Sequence, residues 1–478
     1  MRRNVYWSLG NTVVNNILLF LFSIVIGNLL SITDMGYYAS AYLMITFSSL
    51  VLLGIDSSLI QKLNANSDNN LTKNLYFTVG VIFSALFSLV CLLALFFGQN
   101  IFSELFKIDR TGIYLLTSFF FSMEVLLLFI KSVSYADSKF KFITITETLG
   151  LTAQLVITII LLKGGQGIHG VFIAMYARLL LSLLMYGLYS FRKYKLVLSK
   201  HLIIAGKDLI KFSLLLHVGT IAVFLDQNIS SFFVNYYLPK ESVAIFFYAR
   251  KIALLLLALG TSVSNVMYPH LTMLFSKKEH ADINMLFSKT TNIFFCIVSI
   301  AGITACFNLE WIIKLILPEA YSPVTTISSI ILAGLILKAL LAPFGTAITS
   351  AGMPKYSTIT NWISLVISTI LSVAIIPVYG LMGAAIVTAT TFAINPLLFL
   401  WLLKNRLNIT YPYKKLLINV FMLICILSIG TFGLKNLVIR ELLVVFTGLC
   451  IYKYFLTKED RSFLRERVSN ARKMIKFF

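Results

Sequence analysis

The chain has 478 residues, of which 58% are hydrophobic and only 12% are charged, and its formal net charge is +21. One soluble core cannot bury so large an apolar fraction, so the composition excludes an ordinary soluble globular protein. It predicts an all-α polytopic membrane protein.

Apolar segments of about 20 residues, the length that crosses ~30 Å of hydrocarbon, recur through the sequence. We predict about 14 transmembrane helices, at 8–30, 35–60, 73–97, 111–135, 141–163, 168–190, 208–237, 241–268, 284–309, 322–348, 355–377, 380–403, 414–434 and 437–456. The first segment is interrupted by asparagines and lacks an evident small-residue cleavage site, so we expect it to be retained. Asn11 and Asn15 share one face of this helix and are candidates for cavity-lining polar residues.

The basic residues are distributed unevenly between the two sides of the predicted membrane. With a cytoplasmic N terminus, 26 Lys and Arg residues fall on the cytoplasmic side and seven on the other. This bias follows the positive-inside rule and predicts an even number of helices with both termini in the cytoplasm. The net charge then reflects topology and contact with anionic membrane lipids, and we expect no nucleic-acid partner.

The five cysteines all lie in apolar segments, without CxxC spacing. This pattern predicts neither a disulfide framework nor a metal site.

Residues 29–63 begin with a tight turn and continue into a segment rich in Ser, Thr and Tyr. The pattern consists of Leu30, a polar turn, Gly36, Tyr38, and then Gly54 with Ser57, Ser58, Leu59, Ile60 and Gln61. It resembles the polysaccharide exporters, including the O-antigen flippases, of the multidrug/oligosaccharidyl-lipid/polysaccharide (MOP) flippase superfamily.

Charged residues within the first-half segments are few. Glu124 and Lys131 are seven apart and therefore lie on one helix face, either as a structural pair or in a functional role. Arg178 lies midway along its segment with no acid at helical spacing, which favours a cavity-lining cation. The basic linker 191–207 separates two halves and has the composition of an interfacial helix.

The second half repeats features of the first, as in many transporters. With an offset of 208, Leu30 and Gly36 match Leu238 and Ala244. A G-x-x-G-x-x-I motif occurs at 167–173 and again at 380–386. We predict two pseudo-repeated six-helix lobes, at 1–205 and 206–410, followed by two further helices in 411–457 and a basic cytoplasmic tail at 458–478.

The segment Gly219–Ile252 contains an acid and two bases within apolar sequence. If Pro239–Lys240 is the turn, Asp226, Arg250 and Lys251 lie ~16–18 Å from it along their helices, near the middle of the membrane. Charged residues there normally face a bundle interior or an aqueous cavity. Two interpretations remain open: a structural ion pair, or a cavity that receives an anion.

Residues 350–390 carry the closest resemblance to the family, in a small-residue turn and then Ile-Pro-x-Tyr-Gly-x-x-Gly-Ala-Ala-Ile at 376–386. The likeness covers about 5–405. It implies a flippase that moves a polyprenyl-diphosphate-linked oligosaccharide across the bacterial inner membrane by alternating access, for O-antigen, capsule or exopolysaccharide synthesis.

Several classes of function compete with this interpretation. Drug exporters of the same superfamily take cationic cargo, whereas bases outnumber acids at depth here. No catalytic motif or large external loop is evident, so we expect neither an enzyme nor a membrane-embedded glycosyl polymerase or transferase. The predicted substrate-binding cations are Arg250, Lys251, Arg178 and Lys338, and the candidates for ion coupling or charge pairing are Asp226 and Glu124.

The resemblance also implies partners. We expect a monomer that contacts membrane lipids and the lipid-linked oligosaccharide, together with other polysaccharide-assembly proteins. No cofactor is expected, and Na⁺ or H⁺ is the expected coupling ion.

Overall fold

The structure, a computed structural model, describes residues 2–66, 69–277, 280–402 and 437–450, together with Lys453 and Arg461. It forms two compact units, Met1–Ala244 and Ile245–Phe478. The division falls inside a helix, and the lobe boundary at 205/206, which follows the repeat, stays a prediction. The predicted helix at 414–434 and most of the basic tail at 458–478 lie outside the described residues.

The first unit contains α1–α10 and the beginning of α11. The helices are α1 (Arg2–Leu29), α2 (Ile32–Thr46), α3 (Ser48–Val51), α4 (Ile55–Ala65), α5 (Asn70–Phe97), α6 (Gln99–Leu105), α7 (Thr111–Ala136), α8 (Phe140–Lys163), α9 (Gly167–Lys193), α10 (Leu202–Tyr237) and α11 (Lys240–Lys277). Helix α8 packs against α1 and α9, and α7 packs against α4, α5 and α9.

The second unit holds the rest of α11 and the helices that follow. These are α12 (His280–Ile316), α13 (Val324–Leu340), α14 (Ala342–Ser350), α15 (Pro354–Leu402) and α16 (Leu437–Cys450). Helix α13 packs against α12 and α15, and α16 packs against α12.

The all-α membrane fold is confirmed. Among the described residues, eight helices are long and apolar enough to cross a membrane, or up to ten if two bent pairs each count as one span. Helix α15 is counted once, although it covers the two predicted segments 355–377 and 380–403. The number of spans is therefore compatible with the 14 predicted helices but does not establish that number.

The second predicted segment, 35–60, is a broken span. The helix ends at Val51 and restarts at Ile55, with a bend of 40°. Leu53 and Gly54 occupy positive φ angles of 50° and 77° at the break. Glycine adopts this conformation without steric cost, which gives Gly54 of the family-like motif a structural role.

The first glycine of each copy of the G-x-x-G motif has a positive φ angle. Gly167 has φ 52° and Gly380 has φ 56°. Three residues later, a Cβ on Gly170 would lie 2.9 Å from Leu161 Cβ, and one on Gly383 would lie 2.8 Å from Ile375 O. In each copy the first glycine permits the turn and the second permits close packing of the new helix.

The two copies of the earlier turn also match, because α1/α2 and α10/α11 each join through two residues. The copies touch: Thr33 Oγ1 donates a hydrogen bond to Glu241 Oε1 at 2.6 Å. These positions differ by the repeat offset of 208, so they are equivalent in the two copies. The turn predicted at Pro239–Lys240 lies one residue earlier, at Leu238–Pro239, since α10 ends at Tyr237 and α11 begins at Lys240.

The basic linker differs from the expected interfacial helix. Helix α9 continues to Lys193, and residues 194–201 form no helix. Backbone N–H groups of Lys195 and Val197 instead donate to Asn74 Oδ1 and Thr78 Oγ1, at 3.1 and 2.9 Å. These hydrogen bonds to α5 replace those that a helix would provide.

The conformation of Gly380 generates a prediction. Its φ 56° and ψ −135° are accessible almost only to glycine, so Gly380→Ala should cost about 1–3 kcal/mol. Gly187 is the matched control, because an added Cβ there meets no atom within 4 Å and alanine is favoured within a helix. Thermal unfolding of both purified variants in detergent measures the difference, and equal stability of the two would contradict a glycine-dependent break.

Candidate functional site

An ion pair joins two helices of the first unit. Lys131 Nζ on α7 lies 2.7 Å from Glu147 Oε1 on α8, and the carboxylate side chain is only 8% exposed. Tyr186 of α9, which is fully buried, donates from its hydroxyl to the same oxygen at 3.2 Å. The pair therefore links three helices and satisfies a buried carboxylate with a cation and a hydroxyl donor.

Arg178 of α9 lies closer to the middle of its helix than Tyr186 does, and it contacts α8. Its guanidinium donates to Gln154 Oε1 of α8 at 3.3 Å. Gly150, one helical turn before Gln154, makes room for the arginine stem, since a Cβ there would lie 3.2 Å from Arg178 Cγ. Arg178 is eleven residues from the start of α9 and fifteen from its end, which places it near the middle of that helix.

Glu124 completes this charge cluster, which we define as Glu124, Lys131, Glu147 and Arg178. The charges of Arg178 and Lys131 both act on the Glu124 carboxylate, and the same two cations act on Glu147. The sequence offered a Glu124–Lys131 pair as one interpretation, but the carboxylate in contact with Lys131 is Glu147. The cluster contains equal numbers of acids and bases.

Glu147 was missed because it lies near the start of its predicted segment, where a charge is unremarkable. The signal that could have identified it is the polar stripe Glu147, Gly150 and Gln154, at spacings of three and four residues. Such a stripe marks one face of a helix that packs against a polar neighbour.

The other first-unit candidates occupy α1 and α10. Asn15 Nδ2 donates to Asn11 Oδ1 at 3.1 Å, so these two amides pair on one helix face as predicted. Asp226 on α10 is buried, with 5% of its surface exposed. Whether either feature faces a transport cavity stays a prediction.

The candidate cations of the second unit lie on α11 and α13. Arg250 and Lys251 are partly buried, and Lys251 Nζ lies 5.3 Å from the centroid of the Phe247 ring, one turn earlier. Lys338, near the end of α13, lies 4.6 Å from the ring centroid of Phe392 on α15. Aromatic faces stabilise ammonium groups in an environment that excludes much of the water.

Helix α15 adds a polar stripe that the sequence interpretation did not single out. Thr360, Ser364, Ser368 and Ser372 recur every four residues and are buried. Nearby, Asn395 donates a hydrogen bond to Asn361 across the break at Gly380. Hydroxyl and amide groups of this kind connect helices within a membrane.

The broken span of the first unit is held by α10. Ser58 Oγ donates to Leu209 O at 3.1 Å, and Ser213 Oγ donates to Leu53 O at the break itself. The bond to Leu53 O satisfies a carbonyl at the break, and Ser58 ties the restarted helix to α10. Ser58 of the family-like motif therefore has a structural function.

Comparisons with known proteins agree with this fold. The profile of a family described as "Polysaccharide biosynthesis protein" matches residues 25–326. A curated relative, the "Probable low-salt glycan biosynthesis flippase Agl15" of Haloferax volcanii, is 26% identical over 222 residues. That alignment covers 45% of this chain and 46% of the relative, so it spans about half the length of each.

Two solved structures share the fold over most of their length. The lipid II flippase MurJ in an inward closed conformation aligns with a TM-score of 0.73 at 19% identity, covering 94% of this chain and 98% of that one. An inward-facing multidrug resistance MATE family transporter of the MOP superfamily aligns with a TM-score of 0.64 at 13% identity, covering 81% and 93%. At these identities the two likenesses show a shared fold.

The Lys131–Glu147 pair generates a double-variant prediction. Lys131→Met should cost about 1–3 kcal/mol because it leaves a buried carboxylate without its cation. The further change Glu147→Gln should recover part of that loss, because the charge is then removed from both sides. Thermal unfolding in detergent measures each step.

The exposed pair Lys314–Glu310 is the matched control, with side chains 73% and 50% exposed. Lys314→Met should change stability by about 0.5 kcal/mol or less. Additive losses in the Lys131/Glu147 double variant would contradict the pairing.

Proposed function

The chain belongs to the polysaccharide biosynthesis protein family, and on that premise we propose that it is a flippase for a polyprenyl-diphosphate-linked oligosaccharide. The observation that carries the proposal is the excess of cations over acids in the membrane segments of a chain with a MOP-type fold. The cargo's diphosphate is anionic, so a cationic site compensates its transfer out of water.

The charge excess belongs to the second unit. By sequence, the acids of residues 245–402 are Glu279, Asp282, Glu310 and Glu319. Of the three that the structure describes, Asp282 and Glu310 lie within six residues of an end of α12, and Glu319 lies in the turn before α13. Arg250 and Lys251 lie ten and eleven residues into α11, and Lys338 lies near the end of α13, all in apolar sequence. In the first unit, by contrast, Glu124 and Glu147 balance the charges of Lys131 and Arg178.

The proposed cations differ in how they can bind a phosphate group. Arg250 offers a planar fork of donors that matches phosphate oxygens, and Lys251 offers a mobile point charge. Lys338 supplies further positive charge for the same anionic cargo. Arg178, the fourth cation predicted from the sequence, is balanced within the charge cluster of the first unit. The lipid tail stays in the bilayer while the sugars and diphosphate cross by alternating access.

The proposed setting is the bacterial inner membrane with both termini in the cytoplasm, as the distribution of basic loops favours. There the chain accepts cargo assembled at the inner face and delivers it to O-antigen, capsule or exopolysaccharide synthesis, as a monomer that works beside other assembly proteins.

The second candidate is an ion-coupled multidrug exporter, which the shared fold with MATE transporters favours. Cationic drugs require acidic sites, and the buried Asp226 and Glu124 are the acids that would serve them. The cationic second unit favours the oligosaccharide flippase over this candidate.

The first functional prediction concerns Arg250 and Lys251. Surface polysaccharide should fall at least tenfold in the Arg250→Ala/Lys251→Ala double variant. Arg250→Lys should reduce it less than Arg250→Ala, because lysine keeps the positive charge and loses only the planar fork of donors. Lys355→Ala, at an exposed lysine in the first turn of α15, is the matched control. Polysaccharide and membrane protein level are measured together.

Normal polysaccharide in the double variant, at normal expression, would remove the diphosphate site. The alternative of a static pair with Asp226 has a different signature. In that case Asp226→Asn combined with loss of one base should restore the stability and transport lost in the single variants.

A second functional prediction concerns coupling to Na⁺ or H⁺. If Asp226 and Glu124 bind the coupling ion, the Asp226→Asn/Glu124→Gln variant should lose the dependence of transport on the ion gradient. Asp282→Asn, at an exposed acid near the start of α12, should leave that dependence unchanged. Unaltered gradient dependence in the first variant would assign both acids a structural role.

A further inference from the structure

A cavity of about 430 Å³ lies where the α10/α11 turn meets α2 and the loop after α6. Charged and aromatic side chains dominate its lining: Tyr37, Glu104, Lys107, Asp109, Tyr236 and Lys240. All of them belong to the first unit, at the helix ends that the proposed topology places outside the membrane. The volume falls within the range of small-molecule sites.

The wall of this cavity is built around Lys240. Its Nζ donates to Ser40 Oγ at 2.6 Å and to Asn235 Oδ1 at 3.1 Å. Asn235 is fully buried and is itself fixed, because its Nδ2 donates to Phe106 O at 2.7 Å. The ammonium group is therefore held in one position rather than left to rotate on a flexible stem.

Gly36 allows this arrangement. A Cβ at that position would lie 2.1 Å from Lys240 O, so α2 can approach the start of α11 only without a side chain there. The family-like glycine thus positions the wall of the cavity.

The aromatic side chains are also fixed by charge. The Arg110 guanidinium lies 4.3 Å from the ring centroid of Tyr37, and Lys240 Nζ lies 5.3 Å from it. Asp34 accepts a hydrogen bond from Arg110 at 2.5 Å, which raises the pKa of Arg110. The second tyrosine, Tyr236, lies 4.9 Å from Lys107 Nζ, measured to its ring centroid.

Lys107 itself adopts φ 50°, in the left-handed region just after α6 ends. Glycine is the usual residue at this point of a helix end, and a larger residue pays about 1–2 kcal/mol there. A lysine in such a place indicates that its side chain contributes something that glycine cannot.

The lining indicates the chemistry of a ligand. Lys107 and Lys240 are donors, Glu104 and Asp109 are acceptors, and the charges of the four balance. An isolated anion or cation would gain little from a neutral set. A hydroxyl-rich ligand, whose every hydroxyl both donates and accepts, matches it.

We propose that this cavity binds a neutral saccharide of one or two sugar units. The inference rests on the proposed function, in which the sugars of the cargo emerge on this side of the membrane. The site is separate in sequence from Arg250, Lys251 and Lys338, so it adds recognition of sugar to recognition of diphosphate.

Binding is tested on the purified full chain in detergent by saturation-transfer NMR. The probes are the neutral disaccharides maltose, cellobiose, lactose and chitobiose, with digalacturonate and inorganic diphosphate as anionic probes. At least one neutral probe should bind at millimolar concentration. Lys107→Gln and Asp109→Asn should each weaken it about tenfold, since each removes a charge-assisted hydrogen bond.

Lys163→Gln is the matched control, because Lys163 is an exposed lysine at a helix end and does not line the cavity. Its binding should equal that of the unaltered chain. Absence of binding by all four neutral probes, tighter binding of an anionic probe, or equal loss in the control would each overturn the proposal.

Measurements of export and of disaccharide binding distinguish failure of the proposed function from failure of the saccharide site. The Arg250→Ala/Lys251→Ala variant should lose polysaccharide export and keep disaccharide binding. A chain that supports export but binds no neutral probe refutes the saccharide site and leaves the flippase proposal standing. A chain that binds saccharide but supports no export refutes the flippase proposal and leaves the saccharide site standing.

Discussion

The Lys131–Glu147 ion pair is the interaction on which the polar interior of the first unit depends. A carboxylate in an apolar bundle is tolerated only when cations and hydrogen-bond donors surround it. Lys131 and Tyr186 meet that requirement from the two neighbouring helices. Because the partners come from α7, α8 and α9, satisfying one charge also fixes the relative position of three helices.

The same constraint gives the two units different electrostatic characters. In the first, acids and bases of the charge cluster balance, and Arg178 is hydrogen-bonded to Gln154. In the second, Lys251 and Lys338 lie against aromatic rings, while the described acids lie near the ends of α12 or in the turn before α13. The first unit thus holds a neutral charge cluster, whereas Arg250, Lys251 and Lys338 give the second unit positive charge within its apolar sequence.

Local geometry could be predicted from the sequence where a single segment determines it. Pro239 predicts the α10/α11 turn, and a G-x-x-G motif that occurs twice predicts the breaks at Gly167 and Gly380. The partner of Lys131 could not be predicted, because it depends on which helices become neighbours. The break at Leu53–Gly54 lies within a continuous apolar run. Residues 194–201 form no helix, and two of their backbone N–H groups bond to acceptors on α5 that composition does not reveal. The roles of the candidate site residues depend on contacts with a bound cargo, which no single segment of the sequence determines.

The Thr33–Glu241 hydrogen bond carries a consequence for the history of the chain. If two identical copies of the turn met at this position, each residue would face its own duplicate, as in an isologous dimer. Glutamate facing glutamate would repel, and threonine facing threonine would form only a weak neutral contact. A donor opposite a charged acceptor requires that the two positions be encoded separately. A single chain that carries both copies can place different residues at the two positions, so this contact is one that two identical copies could not make.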